Sequence, residues 1–273
     1  MTASPPISVR LRRRPRRFGA VNWIGLCSLY RREVRRGLKD HLDSLWGPVV
    51  ANLLYLAIFG LAATSIDRPD DAGSLLAFIA PGLVTFTILN RAFEMACASI
   101  LFDKLDGMIV DVLQPPIAPI ERLAAMTGAG ISVGLLTGAV LTLATQFFVD
   151  MRPAAPLTLL LFAVLGALML SLAGLLGGLW ARRWDHYAAL LTFFVIPASF
   201  LSGMFYPIDA LPGFARDLTL VNPLFYAIDG VRYGFRGESQ ASLATGAGLL
   251  LAIDILLGFV VWRLFARGWR LKS

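Results

Sequence analysis

The amino-acid sequence predicts an all-α integral membrane protein with six transmembrane helices. Six long apolar stretches carry that expectation: residues 44–66, 72–90, 123–149, 153–181, 187–208 and 239–262, the last broken only by Asp254. About 20 apolar residues suffice for a helix to cross the roughly 30 Å hydrocarbon core of a bilayer. Hydrocarbon offers no water to stray backbone polar groups, and that selects helices. The second observation is where the charge lies. With six spans, the segments on the N-terminal side hold 20 of the 25 Lys and Arg residues, and the opposite segments hold only Arg68, Arg152, Arg216, Arg232 and Arg236. Basic side chains stay with the cytoplasmic leaflet, so both termini are expected in the cytoplasm. Composition agrees: mean hydropathy is +0.68 and 16% of residues are charged, against about 25% in soluble domains.

The spans nearly exhaust the chain, leaving a basic tail and interfacial helix over 1–43, a six-helix domain over 44–262 and a basic tail over 263–273. The arginine-rich start suits anionic headgroups and topology-setting better than nucleic acid, so no nucleic-acid partner is expected. The first 43 residues lack an apolar core followed by a small-residue cleavage site, so no cleaved signal is expected. Cys27 and Cys97 fall on or near the cytoplasmic side, and no disulfide is expected.

Within the first segment, Trp23, Leu26, Tyr30, Val34, Leu38 and Leu42 recur at steps of three or four, with Arg31, Arg32, Arg35, Arg36 and Lys39 largely between them. That spacing makes a helix with one apolar and one basic face, suited to the membrane interface. It serves as an anchor, or also as a lever following a cytoplasmic partner. Span two continues past Asn90 into Arg91, Phe93 and Glu94; Arg91 and Glu94 stand three apart, close enough to pair. The gap after it is the longest on the cytoplasmic side. Asp106-Gly107 marks a bend, residues 108–113 form a short helix, and Gln114-Pro115-Pro116 stops it. The apolar side chains Met108, Ile109, Val112 and Leu113 suit that helix to another protein's groove, the alternative being a plain linker. Glycines recur in span three (128, 130, 134, 138) and span four (166, 174, 177, 178) and permit close helix packing. The external gap 209–238 is too apolar for a solvated loop, and Pro207, Pro212 and Pro223 break it. Two short helices, over 214–220 and 224–235, are expected there, dipping into the outer interface.

Catalytic groups are scarce. His41 and His186 both lie in cytoplasmic connections, no H-E-x-x-H occurs, and Ser202-Gly203 has neither the context nor the histidine of a serine nucleophile. None of Lys39, Lys104 and Lys272 follows a glycine, so the chain has no P-loop. A membrane enzyme is disfavoured and no cofactor is expected; if the chain moves a solute against a gradient, the energy comes from an ion gradient or from a separate ATPase. Asp254 is the sole carboxylate deep inside a span. It serves an ion-coupled carrier, or bonds a neighbouring helix.

The segments Phe200-Leu-Ser-Gly-Met-Phe-Tyr-Pro-Ile-Asp-Ala-Leu-Pro-Gly-Phe214 and Val221-Asn-Pro-Leu-Phe-Tyr-Ala-Ile-Asp-Gly-Val-Arg-Tyr-Gly-Phe235 resemble a pattern of the ABC-2 type family of export permeases. In that family an L-S-G-x-x-[FY]-P segment is followed by N-P-x-x-[YH]-x-[IV]-[DS]-x-[FVL]-R. Phe78-Ile-Ala-Pro-Gly-Leu83 and the 106–117 connection match too, with Gln114-Pro115-Pro116 where many members carry Thr-Pro or Ala-Pro. The resemblance spans about residues 29–269 and is nearest to small exporters of lipids, lipid-linked glycans or amphipathic drugs. It implies a non-catalytic subunit of the bacterial inner membrane, paired with a second copy of itself and with a cytoplasmic ABC ATPase. The ATPase would dock on Asp106, Gly107, Met108, Ile109, Val112, Leu113, Pro115 and Pro116, and on the interfacial helix marked by Trp23, Tyr30, Arg31 and Arg35. Phe86, Asn90, Phe93, Glu94, Phe194 and Phe200 would line the path. Pro207, Pro212, Asn222, Pro223 and Arg232 would belong to an external re-entrant cap. An ion-coupled carrier using Asp254 is the alternative.

Overall fold

A computed structural model describes residues 21–39, 45–64, 69–107 and 116–270. Among them there is no strand. The helices are α1 (Trp23–Lys39), α2 (Gly47–Thr64), α3 (Pro69–Leu105), α4 (Pro119–Thr145), α5 (Pro156–Trp180), α6 (Trp184–Leu190), α7 (Ile196–Phe200), α8 (Gly213–Val221), α9 (Pro223–Arg236) and α10 (Leu243–Arg267). Four are long and apolar enough to cross a membrane: α3 from Leu75, α4, α5 and α10. The apolar part of α2 is shorter, Gly47–Ala62. The fifth apolar stretch is a helical run in which a wide π-helical turn, Leu191–Val195, joins α6 to α7. Such turns inside helices often mark functional sites.

The second apolar stretch belongs to a helix of 37 residues, about 55 Å at 1.5 Å per residue and far longer than hydrocarbon requires. The extra turns carry Arg91, Glu94, Asp103 and Lys104, each of which finds a partner. α3 is the axis of the molecule, with α2, α4, α5 and α9 packed around it. Glycines on α4 and α5 let two helices reach its backbone. A Cβ on Gly134 would come within 2.7 Å of the Ile88 carbonyl oxygen, and one on Gly178 within 2.6 Å of that of Cys97. Gly174 sits tighter still, against the Phe93 carbonyl. α1 lies along α4, and α10 packs on α5. The α6–α7 run touches the bundle only lightly, so Phe193 and Phe194 are largely exposed.

α8 and α9 form where two short helices are expected. Asn222 caps α9, accepting the Leu224 N–H at 3.1 Å, with Pro223 in the first turn. Both residues suit a helix start, since Asn supplies the acceptor and proline needs no N–H partner. Gly237 ends the helix with φ +74°, a left-handed value that glycine adopts without a Cβ clash.

Candidate functional site

At the α1 end of the bundle, α1 is bolted to α3 by charge. Glu33, fully buried, accepts hydrogen bonds from Arg32 Nη2 (2.6 Å), Arg36 Nη2 (2.5 Å) and Ser99 Oγ (2.7 Å). Asp103 of α3, also buried, accepts from Arg32 Nη2 (2.9 Å) and Arg36 Nη1 (2.8 Å). Arg36 donates as well to the Ser99 carbonyl at 2.9 Å. Burial works against the Arg32 charge, but the Glu33 and Asp103 carboxylates outweigh it and raise the guanidinium pKa. Two carboxylates and two guanidiniums thus neutralise one another, and removing one member of such a set strands a buried charge.

A second tether holds the start of α1. The Asn22 N–H donates to Glu121 Oε1 at 2.6 Å, and Asn22 Nδ2 donates to the Pro116 carbonyl at 3.1 Å. Glu121 also accepts the Ala118 N–H at 2.8 Å, closing the first turn of α4. Tyr30 OH and Ser132 Oγ meet at 2.8 Å. The connection that leaves α3 through Asp106-Gly107 and returns through Pro116 therefore begins and ends beside fixed points of α1. Gly107 has φ +69°, which favours glycine. Met108, Ile109, Val112, Leu113 and Pro115 lie outside the described residues. Trp23, Arg31 and Arg35 are exposed on the outer side of α1, and the arginines line a shallow recess with Ser28 and Arg32. Sequence periodicity singles out the apolar residues of α1, whereas the stripe facing the protein contains Asn22, Leu29 and Glu33.

Between α1, α2, α3 and α6 lies an open cavity of about 490 Å³ lined by Pro48, Ala51, Arg91, Glu94 and Trp184, among others. Arg91 Nη1 donates to Glu94 Oε2 at 2.5 Å, the pairing expected from their spacing. Asn90 Nδ2 reaches Glu94 Oε1 at 3.4 Å. Towards the other end of the same face, Phe59 of α2 meets Phe205 at 5.2 Å between ring centroids, and Phe205 stacks on Phe200 at 5.5 Å. The face formed by α2, α3 and α6–α7 is thus polar at the α1 end and aromatic at the other. Asn90 and Phe200 belong with this face, and Glu94 lines its cavity. Phe93 and Phe194 line a different cavity, towards α5, and Phe86 is half-buried against the core.

The segment after α7 is locked by the residues of its sequence pattern. Arg232 Nη2 donates to the Gly203 carbonyl at 2.9 Å, with its guanidinium 3.9 Å from the centre of the Phe78 ring. Asn222 Nδ2 donates to the Ala198 carbonyl at 2.6 Å. Asp229 accepts the N–H groups of Gln240 and Ala241, both at 3.0 Å. Pro207 and Pro212 precede the turn Ile208–Ala210 and α8 respectively. Asp254 is buried on α10, and neither carboxylate oxygen has a hydrogen-bond partner among the described residues. No group of His, Cys, Asp or Glu among the described residues is arranged to hold a metal ion.

Glu33, Asp103 and Glu121 escape a reading based on periodicity, because each looks like an ordinary polar residue of a charged segment. The available signal is Glu33 itself, a lone acid inside a basic run.

Four apolar helices long enough to span, with a fifth shorter one beside them, mark a multi-pass membrane protein. Residues 25–235 match the ABC-2 type transporter family. The chain belongs to that family. It is 32% identical over 251 residues to the inner membrane transport permease YadH of Escherichia coli (strain K12), covering 92% of this chain and 98% of the relative. It is 27% identical over 260 residues to nodulation protein J of Rhizobium leguminosarum bv. viciae, covering 89% and 93%. Against nodulation protein J of Rhizobium meliloti (strain 1021) it is 26% identical over 260 residues, covering 90% and 93%.

Proposed function

We propose that this chain is the permease subunit of an ATP-binding-cassette exporter in the bacterial cytoplasmic (inner) membrane. It crosses the membrane six times, counting α2 and the α6–α7 run, with both termini in the cytoplasm. It pairs with a second copy and with a cytoplasmic ATPase, and it moves a hydrophobic or amphipathic substrate outward. The observation carrying this reading is the tethering of α1 to α3 and α4 beside both ends of the 106–116 connection. A protein docked on that connection would pull on α1 and on the α3 axis together. The α2–α3–α6–α7 face supports the rest. Its cavity at the α1 end, where Arg36, Arg91 and Glu94 stand among apolar side chains, would face the docked protein, and its aromatic end would form an outer constriction. Two copies pairing through this face would enclose a path, with Leu54, Tyr55 and Ile58 of α2 exposed to meet the partner. α8 and α9 would cap it at the outer interface.

Co-purification with the ATPase tests the reading. Gly107→Pro and Leu113→Asp should lose the ATPase while still inserting into the membrane; undiminished recovery would remove the docking role. A second reading, an ion-coupled carrier, draws on Asp254, a buried carboxyl without a hydrogen-bond partner among the described residues.

A further inference from the structure

On the side of α6–α7 away from the α2 face lies a second open cavity, of about 540 Å³, bordered by α3, α5, α6–α7, α9 and α10. Carbon dominates its walls, which include Phe93, Leu176, Gly177, Leu190, Phe194 and Leu257. It separates the lightly packed α6–α7 run from the bundle. A slot of this kind within hydrocarbon is filled by what surrounds it, since an empty one forfeits contacts along its whole lining.

One end of the slot is ringed by cations. Trp180 forms that end, half-exposed, with its ring 5.0 Å from that of His186. Lys104 Nζ donates to the carbonyls of Gly178, Leu179 and Ala181 at 2.8, 2.6 and 3.3 Å, and Arg270 Nη1 donates to that of Trp180 at 2.9 Å. Arg182 and Arg270 lie close enough to Lys104 for their charges to act on it. A helix C-terminus presents only about half a negative charge, and Lys104 with Arg270 already exceeds it. Arg182 is exposed and, among the described residues, has no ion-pair partner; Asp185 is taken by Arg183 at 2.8 Å. Positive charge is left over at the mouth of an apolar slot, beside a tryptophan of the kind that sits at headgroup level.

We propose that this slot and its cationic rim bind one anionic phospholipid of the cytoplasmic leaflet, an acyl chain along the slot and the phosphate at Arg182 and Arg270. Basic pockets between membrane helices on the cytoplasmic side take such headgroups. An acidic peptide would leave backbone groups unsatisfied in the slot, and a free phosphate would leave the slot unused. The bound chain would fill the gap behind α6–α7 and steady a run that protein contacts alone hold loosely. The inference rests on the proposed topology, which puts Arg182 in the cytoplasm.

Native mass spectrometry of the purified full-length chain, without ATPase, tests it with equimolar dioleoylphosphatidylglycerol and dioleoylphosphatidylcholine. The glycerol lipid should be retained at least about ten-fold over the choline lipid, since each basic side chain near a headgroup adds a several-fold preference. Arg182→Gln with Arg270→Gln should bring the ratio close to one, and Ala173→Phe, which fills the slot, should cut retention of both lipids. Because Arg270→Gln also removes a bond to the helix end, Arg182→Gln alone must lower the ratio. Equal retention of the two lipids, unchanged ratios in Arg182→Gln, unchanged retention in Ala173→Phe, or displacement by tail-less glycerol phosphate would overturn the site. Labelling of Arg182→Cys by an impermeant reagent from outside the cell would instead overturn the topology, leaving the preference measured in detergent intact.

Discussion

Glu33 shows how one side chain can hold two helices in register. It has no exposure, and its oxygens accept from two arginines and a serine across α1 and α3. Deleting it leaves Arg32 and Arg36, both partly exposed, with Asp103 and the Ser99 carbonyl, so the loss is that of charge-assisted hydrogen bonds, about 2–3 kcal/mol. Glu33→Ala should therefore lower the unfolding temperature in detergent far more than Arg35→Ala, whose side chain is exposed and makes no ion pair among the described residues. Equal shifts for the two variants would sink the anchoring role. At this scale the sequence is partly legible. The Arg91–Glu94 pair follows from spacing within one helix, and Asn222 and Arg232 stand in a pattern that marks them. The Glu33–Asp103 cluster joins residues 70 positions apart through helix packing, and its local hint, Glu33 as a lone acid inside a basic run, does not point to Asp103.

Among elements, α3 is the one on which the others are built, and its closeness to α4 and α5 is set by glycines. Gly174 faces the Phe93 carbonyl so closely that any Cβ would have to push backbone aside. Gly174→Val should cost at least about 3 kcal/mol, the upper part of the usual range for overpacking, because no flexible side chain can give way. Gly248, with nothing within 4 Å of its would-be Cβ, should tolerate alanine with no loss, since alanine is the better helix former. Detergent unfolding curves would separate the two variants, and a harmless Gly174→Val would contradict the packing. Helix existence is plain from apolar length, and the glycine recurrence points to close approach. Length alone misses two features. α3 runs on past hydrocarbon because its charged turns gain partners in α1 and at the end of α5, and the α6–α7 run changes its winding at Leu191–Val195 without any proline inside that turn.

For the whole molecule the open matter is what drives transport, and Asp254 is where the two readings part. The family-supported reading places the motor in another polypeptide, with α1 and the 106–116 connection as the transmission. The carrier reading places it in the buried carboxyl of α10, whose oxygens have no hydrogen-bond partner among the described residues. A carboxyl at membrane depth is costly enough to be a functional candidate by default, yet Asp254 stands without a second carboxylate on any apolar stretch to relay a proton. Under the exporter reading Asp254→Asn should leave export within about two-fold of the parent, because a neutral side chain of the same shape costs little where no charge is used. The same reading requires that vesicles containing only this chain move no compound uphill, and that adding the ATPase with ATP restore movement in the presence of an ionophore. Full loss of transport in Asp254→Asn at normal expression, together with collapse under the ionophore, would transfer the motor to α10 and reduce the α1 tether to a structural brace.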